Sequence, residues 1–361
     1  MDLSFPQLDN LITINDSITD ENYGFYPSKR PIQNLLNYGL ILLDKPPGHT
    51  SHEIVSYVKK ILEIEKAGHS GTLDPGTTGL LPIGLEEGTK IVPILLLGPK
   101  EYVALARIHN QIPVEKLTKI IKEFTGPIFQ KPPQRSSVKR QTRIRTIYEM
   151  DLLDQFDRLI LLRVLCESGT YIRKLIYDMG EVLEWGSSMI ELRRTTVWDF
   201  NDETKFVRLH DLVDAFSLYK EKDEEEKLRR LILPIESALT HIPAVTIRDT
   251  AVDALCHGAQ LALPGVVAIP KNLGKDDLVG IYTQKGEIVG LGTSLLAFDD
   301  FFRQKKGISF QIKRMVMKPN TYPKFWSTSD TVISVSENKP DSLLAKERGE
   351  EEEEEEEEEY N

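Results

Sequence analysis

Asp74 lies within Gly68-His69-Ser70-Gly71-Thr72-Leu73-Asp74-Pro75-Gly76-Thr77-Thr78-Gly79-Leu80-Leu81-Pro82, a run of small and turn-forming residues between two more apolar stretches. A carboxylate so placed can serve as a nucleophile or as a general base. Gly68, Gly71, Gly76 and Gly79 open backbone dihedrals closed to other residues and let a bulky ligand come near. Pro75 fixes the chain just after the acid and removes a donor there. Composition alone favours a glycine-rich surface loop with a solvated Asp. The choice between the two rests on the rest of the chain.

Four further segments accompany this loop. Upstream stands Tyr38-Gly39-Leu40-Ile41-Leu42-Leu43-Asp44-Lys45-Pro46-Pro47-Gly48-His49-Thr50-Ser51. Downstream come Lys100-Glu101-Tyr102, then Glu167-Ser168-Gly169-Thr170-Tyr171-Ile172-Arg173-Lys174-Leu175, then Glu191-Leu192-Arg193-Arg194-Thr195. In this order, over roughly Tyr38 to Phe200, the five segments resemble the TruB/dyskerin family of RNA pseudouridine synthases. The resemblance implies that Asp74 is the catalytic residue, with Tyr102 and Arg173 as the active-site tyrosine and arginine. It further implies that Tyr171 and Leu192 wall the pocket, that His69 at the mouth holds the RNA open, and that Lys45 and Pro46 meet the substrate. No metal or organic cofactor is implied.

The chemistry suits these residue types. Converting uridine to pseudouridine breaks an N-glycosidic bond and rejoins the same base through carbon. A carboxylate can attack the sugar or take a proton, and the sequence leaves both routes open. A guanidinium beside it favours the ionised acid and offers a fork that an ammonium lacks. A tyrosine ring gives a flipped uracil a surface to stack on.

The elements that must position these groups are legible in outline. Leu40 to Leu43 reads as a short strand ended by Asp44-Lys45-Pro46-Pro47-Gly48. Thr50 or Ser51 can cap a helix to about Leu62, with Ile54, Val55, Val58 and Ile61 on one face. Tyr102 to Ile108 and Leu159 to Cys166 read as strands; Val114 to Phe124 and about Tyr171 to Leu183 read as helices. Lys220 to Arg230 reads as an exposed charged helix near a boundary. Strands and helices without strict βαβ alternation predict an α+β fold. The boundaries predicted are an extended arm over 1–37, a catalytic domain over 38–240, a small β-barrel over 243–318 and a disordered acidic tail over 327–361.

The barrel assignment follows from short strands and glycine turns after Pro243. His257-Gly258-Ala259-Gln260-Leu261-Ala262-Leu263-Pro264-Gly265-Val266 resembles the PUA domain, an RNA-binding module, and the resemblance makes Gly258 and Gly265 guide-RNA contacts.

Composition narrows the setting. With 361 residues and 40% hydrophobic side chains, the chain has room for two cores and a tail. No apolar run approaches the roughly 20 residues of a membrane span. The start lacks the basic and apolar regions of a signal peptide. Two cysteines and seven scattered histidines suggest neither disulfides nor a metal site. A soluble, cytoplasmic protein is expected. The net charge of -11 includes ten consecutive glutamates, Glu350 to Glu359, which leaves -1 for the remainder. Lys131, Arg135, Lys139, Arg140, Arg143 and Arg145 form a basic stripe suited to phosphates or, equally from charge alone, to solvent.

Within the family, Gln130-Lys131-Pro132-Pro133-Gln134-Arg135-Ser136-Ser137-Val138-Lys139-Arg140 and the PUA string resemble the dyskerin branch in its archaeal form. That branch implies a box H/ACA guide RNA, an rRNA substrate and three small partner proteins: a Nop-type, a Gar-type and a kink-turn-binding, ribosomal-protein-like one. The alternatives are a stand-alone synthase for the tRNA T-loop and a non-catalytic RNA-binding scaffold for ribosome assembly. Thr196-Val197-Trp198 departs from the family pattern and is expected near the pocket rim.

Overall fold

The computed structural model describes residues 6, 8, 10–132, 141–201 and 204–324. In chain order the strands are β1 (Leu11–Thr13), β2 (Gly39–Lys45), β3 (Ala67–His69), β4 (Thr78–Leu85), β5 (Lys100–Ile108), β6 (Gly126–Gln130), β7 (Arg143–Phe156) and β8 (Leu159–Cys166). They continue as β9 (Ser187–Val197), β10 (Leu233–Pro234), β11 (Ala244–Ile247), β12 (Leu261–Ala262), β13 (Val266–Pro270), β14 (Leu278–Thr283), β15 (Ile288–Ser294) and β16 (Ile308–Met315). Helices α1 (Ile32–Asn37), α2 (Ser51–Leu62), α3 (Val92–Leu97), α4 (Val114–Phe124), α5 (Ile172–Val182) and α6 (Leu209–Lys222) fall between them. The fold is α+β.

A nine-stranded sheet runs β10-β2-β4-β9-β5-β8-β7-β6, with β3 beside β4. Its neighbours are antiparallel except β4 and β9, which meet in parallel over Thr78↔Arg193 and Gly79↔Arg194. This short seam divides the sheet into two halves, each with its own core. Ile41, Leu43, Ile54, Val58, Leu81 and Leu212 pack on one side, and Ala104, Leu162, Val164, Leu175, Ile176 and Met179 on the other. The ring of Tyr102 packs against both.

Local chemistry explains the helices that flank the seam. Thr50 caps α2 in a reciprocal box: its hydroxyl accepts from the Glu53 amide while the Glu53 carboxylate accepts from the Thr50 amide. The expected apolar face of α2 is present, with Ile54, Val55 and Val58 buried. The charged stretch Lys220 to Arg230, expected as one helix, is not one. Asp223 turns left-handed (φ 56°) and ends α6 before a short helix over Glu225–Arg229.

A second, seven-stranded sheet, β1-β13-β11-β14-β15-β16-β12, encloses a core of Val245, Ile247, Val266, Ile281, Val289 and Phe310. The residues before 38, expected as an extended arm, add β1 antiparallel to β13 and place α1 against the first core. Arg30 then ties the arm to both sheets. Its guanidinium donates twice to Glu236, at 2.8 and 2.7 Å, and Glu236 accepts from the Ile288 amide. Glu287 lies 3.7 Å from Arg30 and accepts from the Tyr322 hydroxyl. Burial pushes the Glu287 carboxyl up, and Arg30 opposes that push.

Trp198, expected near the pocket rim, instead packs between the sheets. Its ring stacks on His241 at 3.7 Å and its indole N–H donates to the Ile94 carbonyl. The PUA-like glycines have local structural reasons. Gly258 (φ 97°) stops the helix Asp249–Cys256 in a conformation other residues rarely adopt, and its amide donates to Leu255. A Cβ on Gly265 would lie 3.1 Å from Leu261 and 3.2 Å from Ala251. Half of the basic stripe, Arg135, Lys139 and Arg140, and the tail lie outside the described residues. Among those described, no helix is long and apolar enough to cross a membrane.

The seam makes unequal demands on the loop glycines. A Cβ on Gly79 (φ 102°) would stand 2.2 Å from the Arg194 carbonyl oxygen, whereas one on Gly76 meets nothing within 4 Å. Gly79→Ala is therefore expected to cost about 2 kcal/mol or more of stability, and Gly76→Ala less than about 0.5 kcal/mol. Urea melts of both variants check the contrast.

Candidate active site

The loop carrying Asp74 leaves β3, crosses the front of the seam and returns as β4. Two buried cations hold it by its carbonyl oxygens. Lys45, fully buried at the end of β2, points its ammonium at the carbonyls of Pro46 (3.1 Å), Asp74 (3.3 Å), Pro75 (3.1 Å) and Thr77 (2.9 Å). Burial lowers the Lys45 pKa, and the negative charge of Asp74 opposes the shift. Arg194, on β9 and 1% exposed, donates to the carbonyls of Leu80 (2.8 Å) and Gly71 (3.1 Å). Ser51, at the start of α2, receives the Leu73 amide at 2.9 Å and donates back to the Leu73 carbonyl. Gly48 donates to Pro75, and Thr77 to the Asp74 carbonyl. These bonds fix the backbone on both sides of Asp74.

The Asp74 side chain, by contrast, is free to meet a ligand. It is 59% exposed and contacts Arg173, 61% exposed, through one Nη2–Oδ2 bond of 2.8 Å. Arg173 sits in the first turn of α5, whose N-cap is Tyr171. Buried Gln130 clamps that cap: its Oε1 accepts from the Tyr171 amide at 2.9 Å and its Nε2 donates to the Tyr171 carbonyl. Strand β6 thus sets the position of the helix that delivers Arg173.

Tyr102 and Leu192 come from neighbouring strands. Tyr102 pairs with Arg194 across β5 and β9, and Leu192 pairs with Ala104, so both lie on the same face two residues apart. Burial raises the Tyr102 hydroxyl pKa, and a hydrogen bond with Arg194 partly offsets it. The hydroxyl is therefore a neutral group in this structure. His69 ends β3 five residues before Asp74. Its Nδ1 is buried without a protein partner, and burial drives its pKa down to about 4, so the imidazole is neutral at physiological pH.

The structure therefore gathers Asp74, Arg173, Tyr102, Tyr171, Leu192 and His69 around the seam. Lys45 and Pro46 belong to the same place in another manner. The Lys45 ammonium is spent on loop carbonyls and does not face the opening; Pro46 is half-buried and gives its carbonyl to that ammonium. Gly258 and Gly265 belong to the second sheet. Sequence reasoning missed Ser51, Gln130 and Arg194. Arg194 stands inside a sequence motif, yet only the parallel pairing with Gly79 reveals that its side chain braces the loop. Asp44, on β2, makes a two-pronged pair with Arg193 at 2.8 and 3.0 Å, which spans β4 and closes the seam from the other face. Among the described residues, no cluster of His, Cys, Asp and Glu has the arrangement of a metal site.

Comparisons with known proteins agree along the chain. The TruB family pseudouridylate synthase (N terminal domain) matches residues 59–172, and the tRNA pseudouridylate synthase B C-terminal domain matches 173–240. The DKCLD (NUC011) domain matches 1–55 and the PUA domain 243–316. A probable tRNA pseudouridine synthase B of Archaeoglobus fulgidus is 47% identical over 323 residues, covering 90% of this chain and 99% of that protein. The chain in the structure of an H/ACA RNP bound to a substrate RNA containing 2'-deoxyuridine is 42% identical, with a TM-score of 0.80 over 88% of this chain and 97% of that one. A chain in a Cbf5-Nop10-Gar1 complex is 45% identical, with a TM-score of 0.81 over 87% of this chain and 95% of that one. Both the braced loop and these likenesses lead to one assignment: the chain belongs to the TruB family and is a pseudouridine synthase.

Proposed function

We propose that this chain isomerises uridines in RNA through the carboxylate of Asp74, and that it does so as the catalytic subunit of a guide-RNA-dependent H/ACA particle acting on rRNA. The observation that carries the catalytic role is the contrast at the loop: a backbone held by buried cations on both sides of Asp74, and one exposed carboxylate beside Arg173. The Arg173 guanidinium, 2.8 Å from the carboxylate, supplies a counter-charge as the RNA covers the pair, and a charge in a closing pocket needs such a partner. Either attack on the sugar or proton abstraction needs that ionised oxygen. Tyr102 supplies a ring for the detached uracil, and Tyr171 and Leu192 complete the wall. No step calls for a metal or an organic cofactor.

Guide dependence is supported by likeness along nearly the whole chain, second sheet included, to proteins in complexes described as H/ACA RNP and Cbf5-Nop10-Gar1. On this reading the PUA-like sheet anchors the guide, with Gly258 and Gly265 in its path. Nop-type, Gar-type and kink-turn-binding proteins complete the particle. A second reading, stand-alone action on the tRNA T-loop, is favoured by the name of the A. fulgidus relative. Mapping pseudouridine in rRNA and tRNA transcripts, with and without guide RNA and partner proteins, separates the two. Guide-dependent rRNA modification supports the first reading; tRNA modification alone, indifferent to guide, replaces it with the second.

Three substitutions test the roles within the site. Asp74→Asn keeps the shape and removes the reactive charge, so single-turnover isomerisation is expected to fall by roughly 10³-fold or more while RNA affinity stays nearly unchanged. Arg173→Lys keeps charge and loses the fork; the chemical step is expected to slow by about 10²-fold. Lys45→Met removes the ammonium and leaves four carbonyls without their shared donor. It is expected to lower stability by about 2–3 kcal/mol and to slow the chemical step, both measurable by urea melts and single-turnover kinetics on the folded fraction.

A further inference from the structure

His52 is exposed in the first turn of α2, and the sequence motifs give it no role. In the structure its ring meets that of His69 edge to face, with centroids 5.2 Å apart and planes at 75°. The contact is held from both sides. Thr50 and Glu53 cap the turn that carries His52, and the adjacent Ser51 is bonded to Leu73 in both directions. On the other side His69 ends β3, and the Ser70 amide donates to the Pro82 carbonyl. Two rigid supports therefore bring two imidazoles together at the entrance to the Asp74 loop. The enclosed Nδ1 of His69 makes no protein hydrogen bond that would set the ring's angle, and the His52 ring packs against it.

We propose that His52 is a positioning residue for His69, and that the two rings form an aromatic edge on which a nucleobase next to the target uridine stacks. The proposal rests on the site being the pseudouridine synthase centre. A base lifted from its strand leaves its neighbours with one unstacked face, and an aromatic side chain replaces that contact without reading sequence. Two steeply crossed rings suit this role, because one stands against its partner while the other can offer a face. A neutral His69 lets the edge act by stacking and not by charge. The ligand proposed is a nucleobase, and the test below separates it from a phosphate.

The test uses the full chain carrying Asp74→Asn, assembled with guide RNA and partner proteins so that RNA binds without turnover, and a substrate RNA with 2-aminopurine beside the target uridine. His52→Ala is expected to weaken binding by about 10-fold and to reduce the quenching of 2-aminopurine. His52→Phe is expected to restore both, because it returns a ring without charge; His52→Gln is expected to restore neither. Thermal transitions matching that of the parent show that each variant is folded. Unchanged binding and quenching in a folded His52→Ala protein overturns the proposal. So does rescue by His52→Lys but not by His52→Phe, which assigns His52 to a phosphate. Failure of the underlying reading looks different: Asp74→Asn with intact His52 would then turn over like the parent, whatever the His52 variants do.

Discussion

The site depends on the two-residue parallel contact between β4 and β9. Parallel pairing there sets Gly79 against the backbone of Arg194, too close for any side chain on the glycine. That approach lets the Arg194 guanidinium reach back over β4 to the carbonyls of Leu80 and Gly71. The loop between β3 and β4 is thereby closed onto the neighbouring half of the sheet. Tyr102, which packs into both cores, comes to the same place because β5 lies next to β9. One strand register thus fixes where Asp74, Tyr102 and Leu192 stand.

The buried cations at this junction are satisfied by carbonyl oxygens and not by carboxylates. Lys45 and Arg194 both give their hydrogen bonds to loop backbone, and the Asp74 carboxylate bonds the exposed Arg173 instead. Taking an ammonium out of water is costly unless its donors are filled. The Lys45 ammonium has more carbonyls in reach than it has donors, so that cost is offset and the loop is drawn together in one shape. The carboxylate pairs seen nearby, Asp44 with Arg193 and Glu236 with Arg30, act differently: each joins strands or sheets that share no direct backbone bonds.

Local pattern made much of this legible. The strand over Leu40 to Leu43, the capped helix ending at Leu62 and the strand starting near Tyr102 follow from periodicity and turn residues, and the structure has them. The α+β class followed from the same mixture. Sequence could not reveal which glycines the loop needs, because that depends on what stands opposite them: Gly71 and Gly79 take positive φ, while Gly68 and Gly76 do not. Nor could it reveal that Lys45 is buried, since only the fold brings carbonyls 29 to 32 residues away onto its ammonium. The place of Trp198 is hidden for the same reason. Its neighbours His241 and Ile94 are distant in sequence, and its packing shows only once the second sheet is present.

A loop held this tightly should behave as part of the sheet, despite its glycines. Native-state hydrogen exchange at the amides of Leu73 and Thr77, which bond to Ser51 and to the Asp74 carbonyl, measures this directly. The account predicts protection comparable to that of β4 amides, with exchange only through openings near the global free energy of unfolding. Exchange at the rate of an open surface loop, while β4 stays protected, would contradict it: the loop would then be a flexible segment whose shape in the free protein does not position Asp74.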